Sequence, residues 1–166
     1  MRILDGLAHE LTYELDTTKK HFANLPKDKF DFKPHEKSFS LGHLASHILE
    51  PLSWIHSILN DDVFNFNPEE YKPTVYGSSE ELLAAADTIK DESLELLKNA
   101  SDDILSTNWQ MAIGGQVVME MPKIAVFRNF VINHLIHHRG QLTVYMRLND
   151  ILVPKTYGPT ADDQTM

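Results

Sequence analysis

The chain has 166 residues, no cysteine and a formal net charge of −9, a length that suits one domain burying roughly 70% of its unfolded surface. Without cysteine there is no disulfide framework, no thiolate metal site and no protein thiol nucleophile, so any metal must be held by His, Asp or Glu. The acidic balance argues against nucleic-acid and anionic-membrane partners. Neither a secretory apolar core nor a run of the ~18 apolar residues of a membrane span is present, so a cytoplasmic protein is expected.

Ile3, Leu4, Leu7, Leu11, Leu15 and Phe22 keep helical spacing, with Glu10, Glu14, Asp16 and Lys20 mostly off that stripe, which predicts a first helix near 3–24. The run from Leu25-Pro26 to Lys37 reads as a loop because Pro34 disfavours helical geometry at Lys33, and His9, His21 and His35 read as surface residues.

Ser38 or Ser40 caps a second helix near 40–60, with Leu44, Ile48, Leu52, Ile55 and Leu59 on one face and a kink near Pro51. Centred on Ile55, His47 lies about 80° from the middle of that face, His56 about 100° and His43 about 120°. His47 is the best inward candidate; the pair of His43 with His47 is the alternative, and Glu50, one turn on, either orients His47 or faces water. Asn60 to Gly77 reads as a long loop whose Phe64, Phe66, Tyr71 and Tyr76 either roof a pocket or cover the bundle end.

Ser78 and Glu81 form a capping box for a third helix near 79–100, with Leu82, Ala86, Ile89, Ser93, Leu96, Leu97 and Ala100 inward. Between Asn108 and Met121 the period becomes two around Gly114-Gly115, predicting a β-hairpin. A three-residue loop including Ile113 would pair Met111 with Val117 and Trp109 with Met119 on one apolar face, whereas a strict two-residue turn would split the apolar sets.

A fourth helix is predicted near 122–149. At 100° per residue from His134, Phe127 and Tyr145 fall near about 20°, Phe130 and Leu148 about −40°, Val131 about 60° and Leu142 about 80°. That arrangement puts His134 at the centre of the buried face, with His138 at about 40°, Gln141 at about −20° and His137 at the edge near about −60°. Arg139 then points to an edge or to a partner subunit. Two imidazoles one turn apart on an apolar face need partners, since an unpaired buried polar group costs about 1–3 kcal/mol. Either a divalent cation or hydrogen-bonded carbonyls and carboxylates can supply them, and an i, i+4 pair with further histidines upstream favours the metal. The segment from Ile151 to Asp163 reads as an extended, Pro-rich tail.

The run His134-Leu-Ile-His137-His138-Arg139-Gly140-Gln141-Leu142 resembles the terminal signature of the DinB-like (damage-inducible) four-helix proteins. Ser40-Leu41-Gly42-His43-Leu44-Ala45-Ser46-His47-Ile48 is similar to that family's second-helix segment, and Tyr157-Gly158-Pro159-Thr160-Ala161-Asp162 to its closing tail. The resemblance implies an all-α fold, a four-helix bundle in up-down-down-up order with the hairpin between helices three and four, as a single domain over 1–166. It further implies a divalent-metal site whose ligands are His47, His134 and His138, the three that face geometry also favours, and a homodimer. Relatives in this bacillithiol-transferase-like superfamily transfer low-molecular-weight thiols such as bacillithiol, and a mycothiol-dependent branch isomerises maleylpyruvate.

Three neutral imidazoles leave a coordination position open for water or substrate, which is the layout of catalytic sites. Zinc, nickel and iron all accept such ligands. Together with this open position, the resemblance implies metal-dependent transfer of a small thiol to an electrophilic small molecule as the expected activity. Gln141 and Tyr145, on the face of the histidines, are either candidate catalytic or orienting groups or ordinary core residues with hydrogen-bond partners. A metal-dependent hydrolase, a metal-binding protein without turnover and a metal-free interaction bundle are the alternatives.

Overall fold

The computed structural model describes residues 2–164; residues 1, 165 and 166 of the predicted 1–166 domain lie outside the described part. The chain is mostly helical, with a small three-stranded sheet. Helix α1 (Ile3–Phe22) packs mainly on α4 (Ser79–Asn99), and α2 (Leu41–His47) on α6 (His134–Leu148). Half of the predicted capping box of α4 forms: Ser78 Oγ accepts from Glu81 N at 3.3 Å, while the Glu81 carboxylate reaches past the cap residue, its Oε2 accepting from Gly77 N at 2.7 Å.

The predicted second helix is three pieces. After α2 the chain tightens into a 3₁₀ turn, Glu50–Trp54, and resumes as α3 (Ile55–Asn60). Pro51 explains the break, because it has no N–H to continue the α-helical ladder and its ring crowds the preceding turn. The predicted fourth helix is likewise segmented, into α5 (Lys123–Val126), a π-helical stretch (Phe127–Asn133) and α6.

Part of the long 60–77 connection is a strand. β1 (Val63–Phe66) pairs parallel with β2 (Asn108–Ile113), which pairs antiparallel with β3 (Gln116–Pro122). The aromatics of the connection pack here: Phe64 stacks on the fully buried Trp109 at 5.8 Å and lies 5.5 Å from Trp54. The β2–β3 turn has two residues, Gly114 and Gly115, with φ of 57° and 80°, a backbone region that glycine enters without steric cost. This corrects the expected three-residue loop. A bulge between Met111 and Ala112 in the register leaves Val118 extra, so Met111 pairs with Met119 and Trp109 with Met121. The bulge restores one apolar face, which a two-residue turn alone would have split.

The face that α6 buries also differs from expectation. Its buried residues are Leu135, Arg139, Leu142 and Met146, which at 100° per residue centre on about 110° from His134. His134 and His138 therefore stand on the shoulder of the helix, while Tyr145 is half-buried and Leu148 is 58% exposed. Arg139, expected at an edge, is 2% exposed. Its Nη2 lies 2.6 Å from Glu14 Oε2, and its Nη1 donates to the Glu14 carbonyl at 3.0 Å. Tyr157, from the extended tail, accepts from Arg139 Nη2 at 2.8 Å and donates to the Glu14 carboxylate at 2.9 Å. Glu14 is thus part of the buried face of α1 and not of its solvent side. His21, read from sequence as a surface residue, is fully buried, its Nδ1 donating to the Thr17 carbonyl at 2.9 Å.

Removing one member of a buried ion pair leaves the other charge without compensation, so Arg139→Ala should lower unfolding stability by about 3–5 kcal/mol. Replacing both partners by apolar residues, Arg139→Met with Glu14→Leu, should recover most of that loss. Urea denaturation checks both; a change below about 0.5 kcal/mol in Arg139→Ala, the range of an ordinary surface substitution, would contradict the role assigned to the pair.

Candidate metal centre

The local sequence places one histidine at the end of α2 and two, one turn apart, at the start of α6. Ser40 caps α2 by accepting from His43 N at 3.3 Å. Gly42 lets that helix lie against Phe30, since a Cβ at this position would meet Phe30 Cδ2 at 2.7 Å. The α-helix stops at His47, and the 3₁₀ turn that follows brings Glu50 back to it. On the opposite side, the π-helical stretch ends where His134 begins; such wide turns recur at functional sites.

His47, His134 and His138 converge there, each half-buried, with one ligand atom apiece within 4.8 Å of the others. His47 Nε2 and His134 Nε2 are 3.2 Å apart. Two imidazole nitrogens bound tetrahedrally to one zinc at its usual bond length would be separated by about 3.3 Å. Two further ring nitrogens are engaged: His47 Nδ1 lies 2.5 Å from Glu50 Oε2, and His138 Nδ1 lies 2.7 Å from Gln141 Oε1. Carboxylate and amide oxygens only accept, so both Nδ1 atoms carry the proton and both Nε2 lone pairs turn inward. Glu50 thereby orients His47, and Gln141 orients His138. Oε1 of Glu50 is buried without a hydrogen-bond partner among the described residues. The Tyr71 hydroxyl feels this carboxylate without a normal hydrogen bond to it, its pKa pushed up to about 12 by burial first and Glu50 second.

The electrostatics favour neutral rings. Burial, then the neighbouring His138, His47 and His137, push the pKa of His134 down to about 4. Burial also lowers that of His138, against the opposing hydrogen bond of Gln141. A neutral imidazole offers a lone pair, so at pH 7 these two rings are ready ligands and need no deprotonation. The donor set, the nitrogen spacing and the inward lone pairs fit a divalent metal.

The other histidines stay outside the cluster. His43 stacks on Phe39 at 4.1 Å, His56 is exposed, and the exposed His137 meets His138 edge-on at 4.8 Å between ring centroids. A cavity of about 460 Å³ reaches His138, walled by α6 and the Pro34–Phe39 segment. The sequence signalled that segment only as the loop preceding the cap of α2. Gln141 and Tyr145 both line the cavity, but the Tyr145 hydroxyl donates to the Phe39 carbonyl at 3.3 Å, where it ties wall to wall. The Asn60–Gly77 connection does not line this cavity; its Tyr71 and Tyr76 border a separate one of about 200 Å³ behind Glu50. A larger cavity, about 680 Å³, is a groove between the ends of α3 and α4. Volume alone would select it, yet its polar lining consists of exposed side chains and the histidine cluster is elsewhere, so chemistry decides for the His138 cavity.

A model of the DinB family matches residues 5–165. The chain is 28% identical over 167 residues to the uncharacterised protein YrdA of Bacillus subtilis, spanning 96% of this chain and 91% of that protein. Among solved structures it is similar to a DinB-like protein of Bacillus cereus, with a TM-score of 0.71, 25% identity, and coverage of 92% of this chain and 97% of that one. It shares the fold of the DinB-like protein YjoA of Bacillus subtilis, with a TM-score of 0.69 at 19% identity over 96% and 99% of the two chains.

In the metal-free protein the His134 ring should titrate with a midpoint near pH 4, well below the ordinary 6.5. Nitrogen-15 chemical shifts of the ring followed from pH 8 to 3.5 measure it. A midpoint at 6 or above, the range of solvated imidazole, would show that the ring is not held in this desolvated cluster.

Proposed function

The chain belongs to the DinB family, and from that premise we propose that His47, His134 and His138 hold one divalent metal, zinc, nickel or iron, in a site that transfers a small thiol to an electrophilic molecule. The observation that carries the proposal is the cluster itself: three half-buried histidines with their ligand atoms within 4.8 Å. When bound, the metal would lower the pKa of a thiol or water at its open position toward neutrality. Because the chain has no cysteine, the thiol in this reading is an external cosubstrate.

The protein's own groups supply position. Glu50 and Gln141 fix the ring tautomers of His47 and His138, so that binding needs little reorientation. The cavity beside His138 admits the second reactant, and Phe39, 5.4 Å from the His47 ring, limits how water reaches the cluster from that side. The reading includes the up-down-down-up bundle order, a homodimer and a cytoplasmic setting. Two observations are compatible with it: α1 pairs with α4 and α2 with α6, and no helix among the described residues is long and apolar enough to cross a membrane.

Elemental analysis of purified variants tests the ligand set. His47→Ala, His134→Ala and His138→Ala should each lose stoichiometric metal, His137→Ala should keep it, and Glu50→Ala should weaken affinity by about 10–100-fold. With cobalt in the site, small thiols should shift the visible spectrum. Full metal in all three histidine variants would overturn the metal site. A cobalt spectrum indifferent to every thiol would overturn thiol transfer and leave hydrolysis as the reaction class.

A further inference from the structure

We infer that the cavity beside His138 takes a small organic anion, an apolar body ending in a carboxylate that pairs with Lys37. This deepens the proposed function by naming its substrate class, and it rests on that reading for the reaction but not for the binding. Most of the cavity wall is apolar: Phe39 and Leu44 on one side, Val144 and the Tyr145 ring on the other. Sites for small molecules have this character, an apolar wall with a few polar groups that set orientation, in a volume of roughly 300–1,000 Å³. The volume here, about 460 Å³, falls within that range.

Lys37 is the only fully charged side chain in the lining, and no carboxylate lines the cavity. That is a local reversal of sign in a chain whose net charge is −9. Its ammonium forms no ion pair among the described residues, although carboxylates are abundant elsewhere on the surface. The lysine is also carried on an ordered wall. Lys37 N donates to His35 Nδ1 at 3.1 Å and Ser38 N to the His35 carbonyl at 3.0 Å. Leu41 N bonds the Phe32 carbonyl at 2.9 Å, and the Tyr145 hydroxyl bonds the Phe39 carbonyl at 3.3 Å. A wall fixed in advance lowers the ordering cost of binding.

One lysine in the lining of an apolar cavity suits a single carboxylate. Recognition of a phosphate usually recruits several donors, such as an arginine fork or a helix N-terminus, and neither lines this cavity. His138 and Gln141 also line the cavity, and neither is a fixed cation. The anion's charge is therefore met by Lys37, and its apolar body lies along Phe39, Leu44, Val144 and the Tyr145 ring.

The test compares 3-phenylpropionate with its neutral isostere 3-phenylpropanamide by isothermal titration on the full-length protein, with metal content measured on each sample. The wild type should bind the carboxylate about threefold to tenfold tighter than the amide, the range of a partly exposed ion pair. Lys37→Gln should abolish that preference and Lys37→Arg should keep it. Because Lys37 is exposed, all three proteins should melt alike. A preference that persists in Lys37→Gln would mean that the carboxylate is held elsewhere, for example on the metal, and would overturn the inference. Equal binding of acid and amide by metal-loaded wild type would overturn it while sparing the metal site. A Lys37-dependent preference in a protein that takes up no metal would uphold it and sink the proposed function instead.

Discussion

The buried ion pair between Glu14 and Arg139 sets the rotation of α6, and the histidine cluster depends on that rotation. Arg139 follows His138 directly, so sinking its guanidinium into the core against α1 turns His138 about 100° and His134 about 140° away, toward α2. Were the histidines at the centre of the buried face, they would point at α1 and its leucines and could not meet His47. The pair is closed from outside by Tyr157, which connects the chain's extended tail to the same carboxylate. A buried charge pair is a weak source of stability against an apolar replacement but a strict one of orientation, since either partner alone would be costly.

Two irregularities in the helices serve the same end. Pro51 stops α2 immediately beyond His47, and the 3₁₀ turn that replaces it sets the Glu50 carboxylate on Nδ1 of that ring. The π-helical stretch before His134 rotates each residue by less than an α-helix does, so Phe127 and Val131 stay buried together with Leu135 and Met146. Each departure from α-geometry lies next to a residue of the cluster. The result is a shoulder site between α2 and α6, desolvated enough to hold His134 neutral and open toward the Pro34–Phe39 wall.

Much of this was legible in the sequence, for physical reasons that also explain what was missed. The stripes of α1 and α4 run unbroken at helical period, and the capping box of Ser78 and Glu81 marks its helix start directly. The i, i+4 histidine pair and the inward rank of His47 picked out the three rings that the fold brings together. The rotation of α6 was misjudged because angles counted through the π-helical stretch do not carry over, and because Arg139 reads as solvent-facing until Glu14 is seen opposite it. His21 was misread for a related reason: its bond to the Thr17 carbonyl satisfies one nitrogen within its own helix. β1 was hidden because a four-residue strand gains its meaning only from Trp109 and β2 beside it, some 45 residues later. The bulge at Val118 had no local signature, and only the two-residue glycine turn forces it.

X-ray absorption at the metal edge of the protein loaded with one equivalent of zinc addresses the central claim most directly, that three imidazoles on this shoulder form one metal site. The account predicts three imidazole nitrogens at about 2.0–2.1 Å, recognised by the multiple scattering of their rings, and at least one further light-atom ligand from solvent. A shell of carboxylate and water oxygens with no imidazole scattering would contradict it, as would a spectrum showing four or more imidazoles.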